Sequence, residues 1–197
     1  MTEREPAEAP YWHLDEAIGE VVLWGEPWTL RVSAHVADEA YGRGGQTELV
    51  PLTADRGTRT WVQARAYILV PDIQLTVAVA PATDAGPLGT VEAQHWDGMK
   101  AERIGEAQAW YYHEDRLLIL WECFLEDRYQ TGEAPEDATL QALWSGFEHF
   151  LLARFPDTSQ LITTADDPLY DTTNYQRFLT TLGYHPLTQR AFSKRRL

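Results

Sequence analysis

The sequence predicts an α+β fold, a mixed and largely antiparallel central sheet with helices packed on it. Three observations predict it. Between Glu20 and Leu125 apolar residues mostly alternate with polar ones, the period of half-buried strands. After Asp137 two segments repeat apolar residues at three- and four-residue steps, the period of helices. A further strand separates those helices, so at least one parallel crossover is expected.

Residues 1–10 hold two prolines and three glutamates, which predicts a disordered tail. Leu30, Val32, Ala34 and Val36 alternate with Arg31, Ser33 and His35. Val62, Ala64, Ala66, Ile68 and Val70 repeat the pattern. Ile73, Leu75, Val77 and Val79 follow a Pro71-Asp72 turn, so residues 60–80 read as an antiparallel hairpin. Pro81 to Pro87 is a loop, and Leu88 to Trp96 a further strand. Gly105 to Tyr112 and Leu117 to Leu125 are two strands joined by His113-Glu114-Asp115-Arg116. The run LLILWECFL is almost continuously apolar, which predicts a central strand buried on both faces.

Glu126 to Glu136 is a polar, acidic loop. Asp137 caps a helix to about Arg154, with Leu140, Leu143, Trp144, Phe147, Phe150 and Leu151 on one stripe. Phe155-Pro156 stops it. Ser159 to Thr164 is a short strand and Asp166 to Tyr170 a loop. Asp171 or Thr172 caps a second helix, which buries Tyr175, Phe178, Leu179 and Leu182 and ends at Gly183. A strand near Leu187 to Phe192 and a basic tip, Lys194-Arg195-Arg196, close the chain. The expected organisation is the tail 1–10, then one domain over 11–197. That domain has a β-rich half, 11–125, and an αβαβ half, 126–197.

A formal net charge of -14 disfavours nucleic acid and anionic membrane surfaces as partners. The single cysteine, Cys123, excludes an internal disulfide, and its apolar run predicts a buried, inert thiol. No hydrophobic segment follows the acidic start, and no run approaches the ~18 apolar residues of a membrane span. The cytoplasm is the expected compartment. The six histidines show no metal-ligand spacing, so no metal site is expected. Ser145 and His149 lie four apart without the companions of a catalytic dyad. Gly42-Arg43-Gly44-Gly45 lacks the Lys-Ser/Thr of a phosphate loop and reads as a turn.

The terminal order is strand, loop, long helix, strand, short helix ending in Gly-aromatic. With Asn174 through Leu182-Gly183-Tyr184 and then Ala191-Phe192-Ser193-Lys194, roughly residues 115–194 resemble the acyl-CoA-binding half of GNAT acyltransferases. The resemblance implies a GNAT-like fold and transfer of an acetyl or acyl group from acyl-CoA to an amine, on a small molecule or a peptide. A homodimer is compatible with it. In that family a buried strand splays from its neighbour and offers backbone groups to the pantetheine arm, and a glycine-rich turn holds the pyrophosphate. The matching positions are Leu117 to Leu125, with Phe124 and Leu125 at the cradle, and Gln130 and Gly132 in the turn.

Three departures accompany the likeness. The family's Arg/Gln-x-x-Gly-x-Gly/Ala run is reduced to Arg128, Gln130 and Gly132, among Glu126, Asp127, Glu133, Glu136 and Asp137. Leu179 stands where many members carry the acidic tyrosine, and Tyr175 lies one turn earlier on the same face. The two helices usual between the first strands have little room in Val36 to Gly45. Glu122 is the expected base, a carboxylate in register with Leu118, Leu120 and Phe124, and Tyr175 the expected acid. An arginine partner, Arg65 or Arg103, would make Glu122 structural instead. The alternative function is a binding or interaction module of the same shape that has lost CoA.

Overall fold

The structure is a computed structural model that describes residues 11–42, 47, 49–71, 95–96, 98–130, 136–164 and 172–195; for residues 11–15, 95 and 96 only the backbone is considered. The elements are β1 Tyr11–Leu23, β2 Glu26–Tyr41, β3 Gly57–Pro71, β4 His95–Trp96, β5 Met99–Tyr112, β6 Leu117–Leu125, α1 Ala138–Arg154, β7 Gln160–Thr164, α2 Thr172–Thr181, β8 His185–Pro186 and β9 Ala191–Arg195. A single 3₁₀ turn, Asp127–Tyr129, lies between β6 and α1.

One sheet runs through both halves of the chain, in the order β1-β2-β3-β5-β6-β7-β9-β8, with β4 paired to the start of β5. Every pairing is antiparallel except β6 with β7. That parallel pair needs the crossover that α1 supplies.

Helix α1 packs against both β1 and β6. In a flat sheet these strands would lie four spacings apart, about 19 Å, whereas a helix is only about 10 Å across. The sheet therefore curls around α1 as a half-barrel. Its inner face is shaped for this. Ala34, Ala64, Ala107 and Cys123 form one row across β2, β3, β5 and β6, and all four are buried. These small side chains share one buried cluster with Trp144, Phe147 and Phe150 of α1, so large helix residues face a sheet of small ones. Gly105 takes this furthest. A Cβ there would lie 2.4 Å from the Phe124 carbonyl oxygen and 2.5 Å from Leu143 Cδ2. At the other rim a Cβ on Gly146 would lie 3.0 Å from Ile18 Cδ1, so α1 and β1 meet backbone to side chain.

Asp137 caps α1 by accepting from the Leu140 N–H at 2.9 Å. Helix α2 packs through Tyr175 and Phe178 on Trp144 of α1. On the outer face Leu49, Val50 and Leu52 cover Tyr112, Leu117, Ile119 and Ile162. Asp115 pins that segment, accepting from the Thr53 N–H at 2.7 Å and from the Thr53 hydroxyl.

The expected α+β class is corrected by this architecture. The described residues are mostly sheet, with two α-helices, and the sheet is a mixed, curled half-barrel rather than a GNAT-like sheet faced by helices. Val36 to Tyr41 belongs to β2, so a helix cannot form there. The first arm of the expected hairpin over 60–80 lies in β3, which pairs with β2 as far as Tyr67 and with β5 as far as Pro71. The hairpin's other arm, Ile73 to Val79, lies outside the described residues, as do the tail 1–10 and the 81–87 and 166–170 loops. The last strand begins at Ala191, later than expected.

Candidate functional site

The parallel pair has four rungs, from Leu117–Gln160 to Leu120–Thr163. β7 ends one residue later, whereas β6 continues to Leu125. A β-bulge falls at the same point: Ala109 pairs with Leu120 and Gln108 with Glu122, leaving Trp121 as the extra residue. One edge of β6 from Trp121 to Leu125 stays paired with β5. Its other edge has no ladder partner among the described residues. An unpaired strand edge presents N–H and C=O groups in alternation to any extended ligand. Parallel strands bind ligands outside their carboxyl ends, where this edge lies.

The bulge also resets the alternation of β6. Leu118 and Leu120 share the inner face with Cys123 and Leu125. Glu122, expected among the apolar side chains, instead stands on the outer face and is exposed. It has no hydrogen bond or ion pair with a described residue. Nor do the two arginines reach it. Arg65 Nε and Arg103 Nη1 lie 3.2 and 3.6 Å from Oε2 of Glu106 on β5. Gln63 Nε2 donates to the other oxygen of the same carboxylate. Glu106, only 6% exposed, is thus the buried, fully partnered acid of this face.

Pairing register sets His35, Gln63, Gln108 and Glu122 in one polar row across β2, β3, β5 and β6. Beside it Trp61 and Trp110 lie 6.3 Å apart, with the Arg59 guanidinium 4.1 Å above Trp110. On the other side Phe124, half-buried, is opposite Glu106. The buried Leu125 is opposite Gly105. The Glu126 N–H bonds to Ile104 O, so by the alternation of the antiparallel ladder Phe124 turns its backbone groups toward β5 and Leu125 turns its own toward the other edge.

Gln130 closes the 3₁₀ turn, its N–H reaching Asp127 O at 3.2 Å and its side-chain amide donating to Asp127 Oδ1 at 3.3 Å. Gly132 lies outside the described residues. The acidic surroundings of this turn are largely satisfied. Glu126 is held by Arg103, Asp137 caps α1, and Glu136 lies 3.8 Å from Arg177. Two buried hydroxyls at this end, Thr139 Oγ1 near the start of α1 and Thr163 Oγ1 on the last rung, have no hydrogen-bond partner among the described residues. The carboxylates here are partnered and the two hydroxyls are not, so this end offers a ligand hydrogen-bonding capacity rather than free negative charge.

Tyr175 is 1% exposed, with its ring 5.9 Å from Phe178 in a stacked pair and edge-on to Trp144 at 6.2 Å. It sits across α1 from β6, on a different element from the other candidates. A deeper network joins the same aromatic wall. Tyr184 donates to Glu148 Oε2 at 3.3 Å, and Lys194 Nζ meets Glu148 Oε1 at 2.7 Å. Burial first, and then Glu148, push the Tyr184 phenol well above the usual tyrosine range. Glu148 is therefore taken, which removes it from any Ser145–His149 dyad. Among the described residues no group of His, Cys, Asp and Glu could hold a metal ion, and no helix is long and apolar enough to cross a membrane.

Alternation marks Glu106, like Glu92, as a strand carboxylate, but its partner arginines come from register across strands and are not legible in spacing. Nor is the aromatic contact of Trp24 with Tyr129, ring centroids 6.0 Å apart. That contact exists only because the half-barrel returns the β1–β2 tip to the β6–α1 connection. No protein-family model matches this chain, and no curated protein or solved structure matches it either.

Proposed function

We propose that the protein is an acyl-CoA-dependent N-acyltransferase acting on an amine, with the acyl-carrier arm laid along the open edge of β6. The observation that carries this reading is the coincidence of three features at one place: the end of the β6–β7 ladder, the bulge at Trp121, and the continuation of β6 to Leu125 beyond its last rung with β7. Acetyl-CoA, when bound, supplies a thioester whose acyl carbon an amine can attack. In this reading the backbone of Leu125 meets the arm, Phe124 flanks it, and Gln130 of the following turn lies toward its phosphate end; the family likeness assigns Gly132 to the same turn. Glu122, exposed beside the ladder end, orients the incoming ammonium and takes its proton. The nitrogen–carbon bond then forms and the carbon–sulfur bond breaks. Tyr175, the acid that the family likeness implies, is buried in the aromatic core while Glu122 stands on the outer face, so in this reading the leaving thiolate takes its proton from water. The cytoplasm, with its acyl-CoA and amines, is the compartment this chemistry needs.

A second reading, a binding module without catalysis, has one specific observation in its favour. The Tyr175 ring is locked in an aromatic stack, with Leu179 in the neighbouring place. The two readings separate in an assay of thiol release from acetyl-CoA with a panel of small amines and peptides. The enzyme reading expects release that depends on the amine and falls at least tenfold in Glu122→Gln at an unchanged melting temperature. Absence of both acetyl-CoA binding and thiol release, with every amine, supports the module, which has lost CoA.

A further inference from the structure

We infer that the outer face of the sheet around Gln108, Trp121 and Glu122 is a binding site for the sugar units of a neutral oligosaccharide. The inference rests on side chains of that face and not on the acyl-carrier reading. Leu117 and Ile119 belong to the outer cluster and Cys123 to the inner one, so the bulge turns Trp121 and Glu122 outward together. Both are exposed, Trp121 to 37%. Gln108 stands directly opposite Glu122 on β5, a position where side chains of neighbouring strands lie about 5 Å apart. Neither of these two side chains has a hydrogen-bond or ion-pair partner among the described residues. The half-buried Trp61 and Trp110 continue the aromatic surface across β3 and β5. An amide, a carboxylate and an indole thus meet on one patch of sheet.

The chemistry of the patch selects among ligands. Arg59 is held by Glu39, Arg65 by Glu106, and Arg103 by Glu106 and Glu126. These guanidiniums are committed, so a phosphate finds no counter-charge in them, and the net charge of -14 repels it further. An apolar partner surface would bury Gln108 and Glu122 unmatched, at the full desolvation cost of both. An ammonium would satisfy Glu122 but offers no acceptor to the N–H groups of Gln108. A sugar meets all three groups. Its hydroxyls donate to the carboxylate and exchange hydrogen bonds with the amide, and its C–H face lies on the apolar indole. The indoles are spread over β3, β5 and β6, so the patch suits an extended chain rather than a single ring.

The test titrates the protein, without acetyl-CoA, with cellohexaose, maltohexaose, xylohexaose, mannohexaose and N-acetylchitohexaose, read by calorimetry and tryptophan fluorescence. The expected result is saturable binding of at least one of these sugars, insensitive to salt because the ligand is neutral. That binding weakens roughly tenfold in Glu122→Gln and roughly threefold or more in Trp121→Ala. Both side chains are exposed, so an unliganded melting temperature close to that of the unaltered protein is expected for each variant, and Gln108→Ala repeats the test from the facing strand. Absence of binding by every sugar at millimolar concentration overturns the inference. So does binding that either Glu122→Gln or Trp121→Ala leaves intact, which puts the sugar elsewhere. Binding of benzyltrimethylammonium in place of the sugars, weakened by salt, gives the patch to a cation and overturns it as well. None of these outcomes alters the acetyl-CoA titration, so the acyl-carrier reading fails or survives separately.

Discussion

Leu120 and Thr163 form the last rung between β6 and β7, and the two strands part company there. β7 stops one residue on, while β6 takes an extra residue at Trp121 and continues along β5 alone. The stretch of β6 paired with both β5 and β7 and the stretch paired, among the described residues, with β5 only are thus one strand, divided by a bulge. The consequences reach both stability and chemistry.

Gly105→Ala tests the close approach of β5, β6 and α1. The added methyl would collide with the Phe124 backbone and with Leu143. Backbone cannot yield as a flexible side chain does, so the expected cost is about 2–3 kcal/mol, read as a lower midpoint in urea unfolding. Gly146→Ala meets only the end of Ile18 and should cost clearly less.

The packing of Tyr175 and any acid chemistry of its phenol are separable by substitution. Tyr175→Ala opens a cavity against Trp144 and Phe178 and is expected to cost about 3–5 kcal/mol. Tyr175→Phe keeps the stack and should stay within about 1 kcal/mol of the unaltered protein. If the phenol is the acid, Tyr175→Phe lowers thiol release without changing acetyl-CoA affinity. Unchanged release in that variant assigns the ring to packing alone.

Asp115 links pH to the segment that covers the outer face. Burial alone would push its carboxyl up, but hydrogen bonds from the Thr53 hydroxyl, the Thr53 and Ala54 N–H groups and the Tyr41 phenol together hold it below the ordinary value of 3.8. A depressed folded value means that the contribution to stability is complete above the unfolded pKa, about 3.9, and is lost as pH falls through the folded one. Urea midpoints should therefore fall more steeply below about pH 4 in the unaltered protein than in Asp115→Asn. The Tyr41 phenol, raised to about 12 by burial and then by Asp115, moves oppositely and weakens the fold as pH climbs from 10 toward that value.

Asp137→Ala removes the side-chain acceptor for the Leu140 N–H. The expected loss is about 1 kcal/mol, measured by thermal unfolding, with Asp137→Asn retaining most of it.

Local periodicity made much of the fold legible. Leu30, Val32 and Ala34 on β2, Val62, Ala64, Ala66 and Ile68 on β3, and the whole stripe of α1 from Leu140 to Leu151 are buried as their spacing implies. The helix start at Asp137, its stop before Pro156 and the turn at Gly183 also follow from local chemistry. What spacing could not supply was long-range. The small row Ala34, Ala64, Ala107 and Cys123 gains its meaning only when four strands align and the sheet curls. The bulge at Trp121 hides within a continuously apolar run, where no alternation exists to be broken, and it moves Glu122 to the other face. The candidate site was legible as a strand and a turn; the face of the sheet on which Glu122 stands was not.

The central claim is that the open edge of β6 takes an acyl-CoA. The most direct measurement is the melting temperature during titration with acetyl-CoA. Saturation at a hundred times the dissociation constant adds about 2.7 kcal/mol, which for a chain of this size is a rise of roughly 5–10 °C. That rise, followed by saturation, is the predicted result. A melting temperature that does not move at millimolar acetyl-CoA would contradict the account.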